Sequence, residues 1–208
     1  MISFAGPGEP RTMKVRCESP PRLLLVGPPG AGKSTQGSLL AASLGVPHLS
    51  TGAVLREEVR RGSPVGRQVG EYMRAGELVP DWLLRFVLEH QLSSALDAGV
   101  VLDGYPRTLE QAERFIRSLG HAPLERVIEL AVDDETAVRR VLGRAPGARA
   151  DDDEQTARAR LGVYREQTEP MLEFFRSRGL LETVDGNRCK ETVAADLGAL
   201  LRARARGA

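Results

Sequence analysis

The chain has 208 residues, 41% of them hydrophobic, and a formal net charge of +1. That length allows one sizeable core with small appendages, and the near-neutral balance excludes the broad basic field on which general nucleic-acid or anionic-membrane binding depends. Any anion site must therefore gather its cations locally. Lysine occurs only at Lys14, Lys33 and Lys190, so the positive chemistry rests on arginine, which stays charged and grips phosphate with two parallel bonds. Cys17 and Cys189 are too few for a disulfide framework or a four-cysteine zinc site, which predicts a reducing, cytoplasmic setting.

Residues 1–21 are rich in proline and glycine, with no apolar run long enough for a signal peptide or membrane span. They read as a disordered extension before one domain at 22–208, and Met13 is an alternative start. Short apolar segments at 23–26, 47–49, 100–103, 127–132 and 181–184 predict strands, and helical stretches separate them. That alternation predicts an α/β fold, a five-stranded parallel sheet with helices on both faces in three layers. Ser34 and Thr35 open a helix that Gly45 should stop. Asp151 with Glu154 three residues on predicts a cap before the helix at 155–164. Pro170 fits the first turn of another helix that ends at Gly179, and the segment at 144–149 reads as a short loop with an arginine at each end.

Gly27-Pro-Pro-Gly-Ala-Gly-Lys-Ser34 follows the first strand and opens the first helix, the setting in which G-x-x-x-x-G-K-[ST] forms a phosphate loop. Its glycines let backbone N–H groups converge on an anion, the helix N-terminus adds positive potential, and Lys33 reaches the outer phosphates. Ser34 or Thr35 offers the hydroxyl such loops present to Mg²⁺. A phosphate loop alone does not separate kinases from GTPases or motor ATPases, but the chain has no Asn-Lys-x-Asp for reading guanine.

Two further segments, Leu49-Ser-Thr-Gly-Ala-Val-Leu-Arg56 and Leu102-Asp-Gly-Tyr-Pro-Arg-Thr108, join Gly143-Arg144, Arg149-Ala-Asp-Asp152 and Arg160. With the phosphate loop, this ordered set resembles the adenylate kinase family. The resemblance implies the P-loop NTPase fold and reversible transfer from MgATP to AMP giving two ADP, with ATP as co-substrate, Mg²⁺ and no zinc. It implies an insert at 50–79 holding the monophosphate and a short lid at 143–152. Gly30, Ala31, Gly32, Lys33, Ser34, Thr35, Arg140, Arg144 and Arg188 would hold ATP, Arg188 beside its adenine. Arg56 and Arg107 would take the AMP phosphate, and Arg144, Arg149 and Arg160, with Lys33 and Arg107, the moving phosphoryl group. Gly104, Tyr105 and Pro106 complete the Arg107 segment, and Asp103 would act on the magnesium water shell beside Ser34.

Charge arithmetic is consistent with that implied set. Two nucleotides bring roughly six negative charges and Mg²⁺ removes two, so transfer needs positioning and a cationic cluster rather than a base. Thr51 and Gln111 stand where the family commonly reads adenine, with Glu77, Leu78 and Val79 walling the base. Trp82 is expected to pack, and His48, His90 and His121 to be structural or surface groups. Two positions depart from the family pattern: Ser34 replaces a common glycine, and Ala53 a general aspartate, which predicts slower turnover that Ala53→Asp would raise. Small nucleotides are the expected partners of a monomer, with no nucleic acid and no membrane. The rivals are a kinase for CMP, UMP or a modified nucleotide, and a non-catalytic adenylate sensor.

Overall fold

The computed structural model describes residues 20–120, 124–144 and 153–205, with side chains to Arg202. The helix at Lys33–Leu44 (α1) follows strand Arg22–Val26 (β1); His48–Ser50 (β2) leads into Thr51–Arg60 (α2), Pro64–Ala75 (α3) and Asp81–Asp97 (α4). Val100–Asp103 (β3), Leu109–Ser118 (α5), Arg126–Ala131 (β4) and Asp134–Leu142 (α6) come next. Glu154–Val163 (α7), Glu169–Arg176 (α8), Leu181–Asp185 (β5) and Lys190–Ala205 (α9) complete the order. The five strands form one sheet, β2-β3-β1-β4-β5, and every pairing is parallel.

Strand β1 sits in the middle and is buried throughout. Its side chains alternate between faces, as a pleated strand requires: Leu24 and Val26 join a core with Leu83, Leu88, Phe115 and Phe175, while Leu23 and Leu25 join Leu40, Ile128 and Leu197. With both faces covered, apolar residues fill consecutive positions, which is why β1 shows no polar alternation in the sequence. The chain leaves β1 between β3 and β4, and at such a switch point the carboxyl ends of a parallel sheet open a crevice for ligands.

Two sequence expectations change. The cap of α7 is Asp153, whose carboxylate accepts from Thr156 N at 2.8 Å and from its hydroxyl at 2.7 Å; Asp151 lies outside the described residues. The run of three aspartates left the register open, and the packing of Thr156, Ala157 and Leu161 sets it. Pro170 lies in the first turn of α8, as the sequence predicts. Residues Tyr164–Thr168 wind as a π-helical turn that carries α7 into α8, with Glu169 N bonded to Tyr164 O, and the wider turn takes in the proline just after it. Pro21, assigned to the extension, bonds through its carbonyl to Val100 N at 2.8 Å, so the folded domain takes in this residue. The rest of the extension before residue 20, His121 and the lid loop at 145–152 lie outside the described residues.

Candidate active site

The phosphate loop takes its shape from glycines that no other residue could replace cheaply. At Gly30 φ is +83° and a Cβ would lie 2.3 Å from Ala137 O, while Gly32, at φ +88°, sits at the N-terminal cap of α1. Lys33 arches back over the loop, its Nζ donating to Gly27 O at 2.7 Å and Pro28 O at 2.8 Å. Behind it, at the end of β3, Asp103 is 4% exposed. Its Oδ2 accepts from Ser34 Oγ at 2.6 Å and Ser50 Oγ at 3.0 Å. Parallel pairing of β2 and β3 places Ser50 beside Asp103, a neighbour that sequence separation concealed.

His48 stands behind Asp103 as a structural group, as expected, and does not line the cavity. Its Nε2 is 3.8 Å from Asp103 Oδ2 and its Nδ1 is hydrogen-bonded to Ser38 Oγ at 3.1 Å. Burial lowers the imidazole pKa below its usual value, and the Asp103 charge only partly opposes that. Gly37 leaves the room, since a Cβ there would come within 2.5 Å of His48 Nε2.

Across the crevice stands Arg107, partly buried. Its Nε donates to Gly104 O at 2.7 Å, and its own N–H donates to Gln111 Oε1 at 2.9 Å. Desolvation pulls its pKa down; nearby Asp103 opposes this and Arg56 adds to it. A guanidinium this basic stays charged all the same, so the site holds partly buried positive charge suited to an anion. Gly52 lies under Arg56, where a Cβ would stand 3.1 Å from its Nη1. Arg160, from α7, donates through Nη2 to Met73 O at 3.1 Å.

These groups line one cavity of about 420 Å³. Gly30, Gly32, Lys33, Ser34 and Thr35 form its loop end, and Thr51, Arg56, Glu77, Leu78, Val79 and Gln111 line it. Asp103, Gly104, Pro106, Arg107, Arg140, Arg144 and Arg160 line it as well. Thr51 is 1% exposed and its Oγ1 has no hydrogen-bond partner among the described residues. A buried hydroxyl left unpaired is costly, and one on a cavity wall is placed for a ligand's polar edge.

Some expected residues stand elsewhere. Ala31 and Tyr105 are buried beside the cavity rather than lining it, Tyr105 edge-on to Phe115. Arg140 holds the turn after β5, donating to Gly186 O at 2.6 Å, Asn187 O at 3.0 Å and Arg188 O at 3.2 Å. The Arg188 side chain pairs with Asp196 at 2.7 Å and is not on the cavity wall. Arg149 lies outside the described residues. Ala53 is exposed, in a surface hollow with Glu57, Glu58 and Arg61. Trp82 is 66% exposed and does not pack as expected. Sequence reasoning missed Met73, Gly76, Val163, Tyr164 and Thr168, which line the cavity from α3 and the α7–α8 junction; only the fold brings them there.

Comparison with known proteins agrees with this geometry. A sequence profile described as adenylate kinase matches residues 25–180. The chain belongs to the adenylate kinase family. It is 45% identical over 186 residues to an adenylate kinase of Synechococcus sp. (strain JA-2-3B'a(2-13)), covering 87% of this chain and 96% of that protein. It is 43% identical over 189 residues to that of Thermobifida fusca (strain YX), covering 88% and 100%, and 44% identical over 182 residues to that of Thermus thermophilus, covering 86% and 96%.

Proposed function

We propose that the protein transfers the terminal phosphoryl group of ATP reversibly to AMP, giving two ADP, with the donor on the phosphate loop and the acceptor between the insert and β3. Membership of the adenylate kinase family supports the reaction. The observation that carries the acceptor is a pairing within one cavity: the partly buried guanidinium of Arg107 beside the Thr51 hydroxyl, which has no partner among the described residues, and the side chain of Gln111. A monophosphate nucleotide brings an anion for the first and a polar base edge for the others.

In this mechanism the loop N–H groups and Lys33 hold the donor phosphates, and Lys33 exchanges its carbonyl partners for them. Arg56 and Arg107 fix the acceptor phosphate in line. Arg144, Arg149 and Arg160 stabilise charge on the moving oxygens, where preorganised donors lower the barrier most. The acceptor is already a phosphate oxygen, so no base is needed. Ser34 and Asp103 are hard-oxygen donors of the kind Mg²⁺ selects, Asp103 through bound water. When bound, the ion neutralises phosphate charge. Arg140 acts on the adenine side by fixing the carbonyls of Gly186–Arg188, and Arg188 contributes its backbone there.

No helix among the described residues is long and apolar enough to cross a membrane. A monomer working on small nucleotides in the cytoplasm is the form that fits this role. A coupled assay of ATP against a panel of monophosphates tests it. AMP is expected to give the highest kcat/KM, and a higher value for CMP or UMP overturns the acceptor while leaving a kinase.

A further inference from the structure

Helix α3, in the insert between β2 and β3, ends at Gly76, whose φ of +75° turns its N–H back onto the carbonyls of Met73 and Tyr72. A helix leaves its last carbonyls without intrahelical partners. Met73 O accepts a second bond, from Arg160 Nη2 at 3.1 Å, and Arg160 comes from α7, outside the insert. The two elements meet closely: a Cβ on Gly76 would stand 3.3 Å from Ala159 Cβ and 3.5 Å from both Arg160 Cγ and Thr156 O. A cation at the negative end of α3 is favoured by the helix dipole. Because the guanidinium is a rigid plane, fixing one N–H on a carbonyl fixes the direction of the others.

We propose that the C-terminus of α3 is a positioning element for Arg160: the close packing of the insert on α7, permitted by Gly76 and made through the Met73 carbonyl, aims this guanidinium at the phosphoryl group. This rests on the proposed function, since the insert must hold the acceptor and Arg160 must face the phosphates. Gly76 and the Met73 carbonyl touch no reacting atom in this scheme. They act through Arg160, so their loss appears in kcat and not only in acceptor KM.

The fold supplies its own control. Gly62, between α2 and α3, has φ +66°, and a Cβ there would find nothing within 4 Å. Gly62→Ala and Gly76→Ala therefore carry the same left-handed backbone penalty, and only Gly76→Ala presses on α7. A shift of a few tenths of an ångström takes a 3.1 Å bond toward the limit of useful geometry. Steady-state kinetics should use whichever monophosphate the wild type phosphorylates best, so that a wrong acceptor assignment does not obscure the result. Gly76→Ala is expected to lower kcat at saturating acceptor about five- to tenfold, in line with misplaced catalytic groups. Gly62→Ala and Ala159→Gly should each stay within about twofold, and Gly76→Ala with Ala159→Gly should return to within about threefold of wild type. If Gly76→Ala fails to fold, Ala159→Val adds bulk from the α7 side and should give the same kcat loss. Equal effects of Gly62→Ala and Gly76→Ala, a change confined to acceptor KM, or no rescue by Ala159→Gly overturns the proposal.

Discussion

On the proposed reading the glycine-rich loop and the arginine side of the same cavity both serve anions, yet they are built in opposite ways. The loop is one contiguous stretch whose backbone takes its turn from positive φ at Gly30 and Gly32. The facing side takes Arg56 from α2, Arg107 from the turn after β3, Arg160 from α7 and a carbonyl from α3. A local motif is robust because its conformation is set by neighbours in sequence. A cluster assembled from several elements depends on how they pack.

That contrast can be tested most forcefully at Lys33. Lys33→Met removes the one side-chain cation of the loop, and kcat should fall about a hundred- to a thousandfold, as for loss of a preorganised charge donor. The fall should be the same for every monophosphate acceptor, and a thermal melt should move little. An acceptor-dependent loss would blur the division between the two sides.

Next in size, Arg107→Lys keeps the charge and loses the planar fork that spans Gly104 O and the cavity. A loss of about 2 kcal/mol in kcat/KM, roughly thirtyfold, is expected for a charge-assisted bond. Near-normal kinetics would remove Arg107 from the acceptor site.

Thr51→Val should change choice more than rate. The hydroxyl it removes has no partner among the described residues, so stability should hold or rise slightly, while preference for AMP over CMP should drop about tenfold. Unchanged acceptor ratios in a competition assay would show that the base is read elsewhere.

The smallest effect is expected at Ala53. The family pattern suggested that Ala53→Asp would speed the enzyme several-fold, but the position is exposed beside Glu57 and Glu58. An aspartate there gains from the α2 dipole and meets Glu57 one turn on, two terms that oppose each other. Titrating kcat with Mg²⁺ should show a change under about threefold; a larger gain would mean that this face reaches the site.

Much of this molecule was legible in its sequence. Each predicted strand matches an observed one to within about two residues, because burial on both faces leaves uninterrupted apolar runs and glycines mark their ends. The phosphate loop was equally plain, since its chemistry needs backbone freedom at fixed spacing and little else. Where several local solutions were equally good, sequence stopped short. The cap of α7 fell on Asp153 rather than Asp151, and the proline at 170 followed a π-helical turn that no pattern announces.

What the chain alone determined is therefore the order of its elements, the anion-binding loop and the identity of the arginines. Tertiary structure decided which of these groups meet. It put Ser50 and His48 on Asp103 through the β2–β3 register, turned Arg140 onto the loop after β5 and Arg188 toward Asp196, and brought Met73 to Arg160. The physical reason is that backbone preference acts between neighbours in sequence, whereas the direction of a long cationic side chain is chosen by whichever acceptor the packed elements leave within reach.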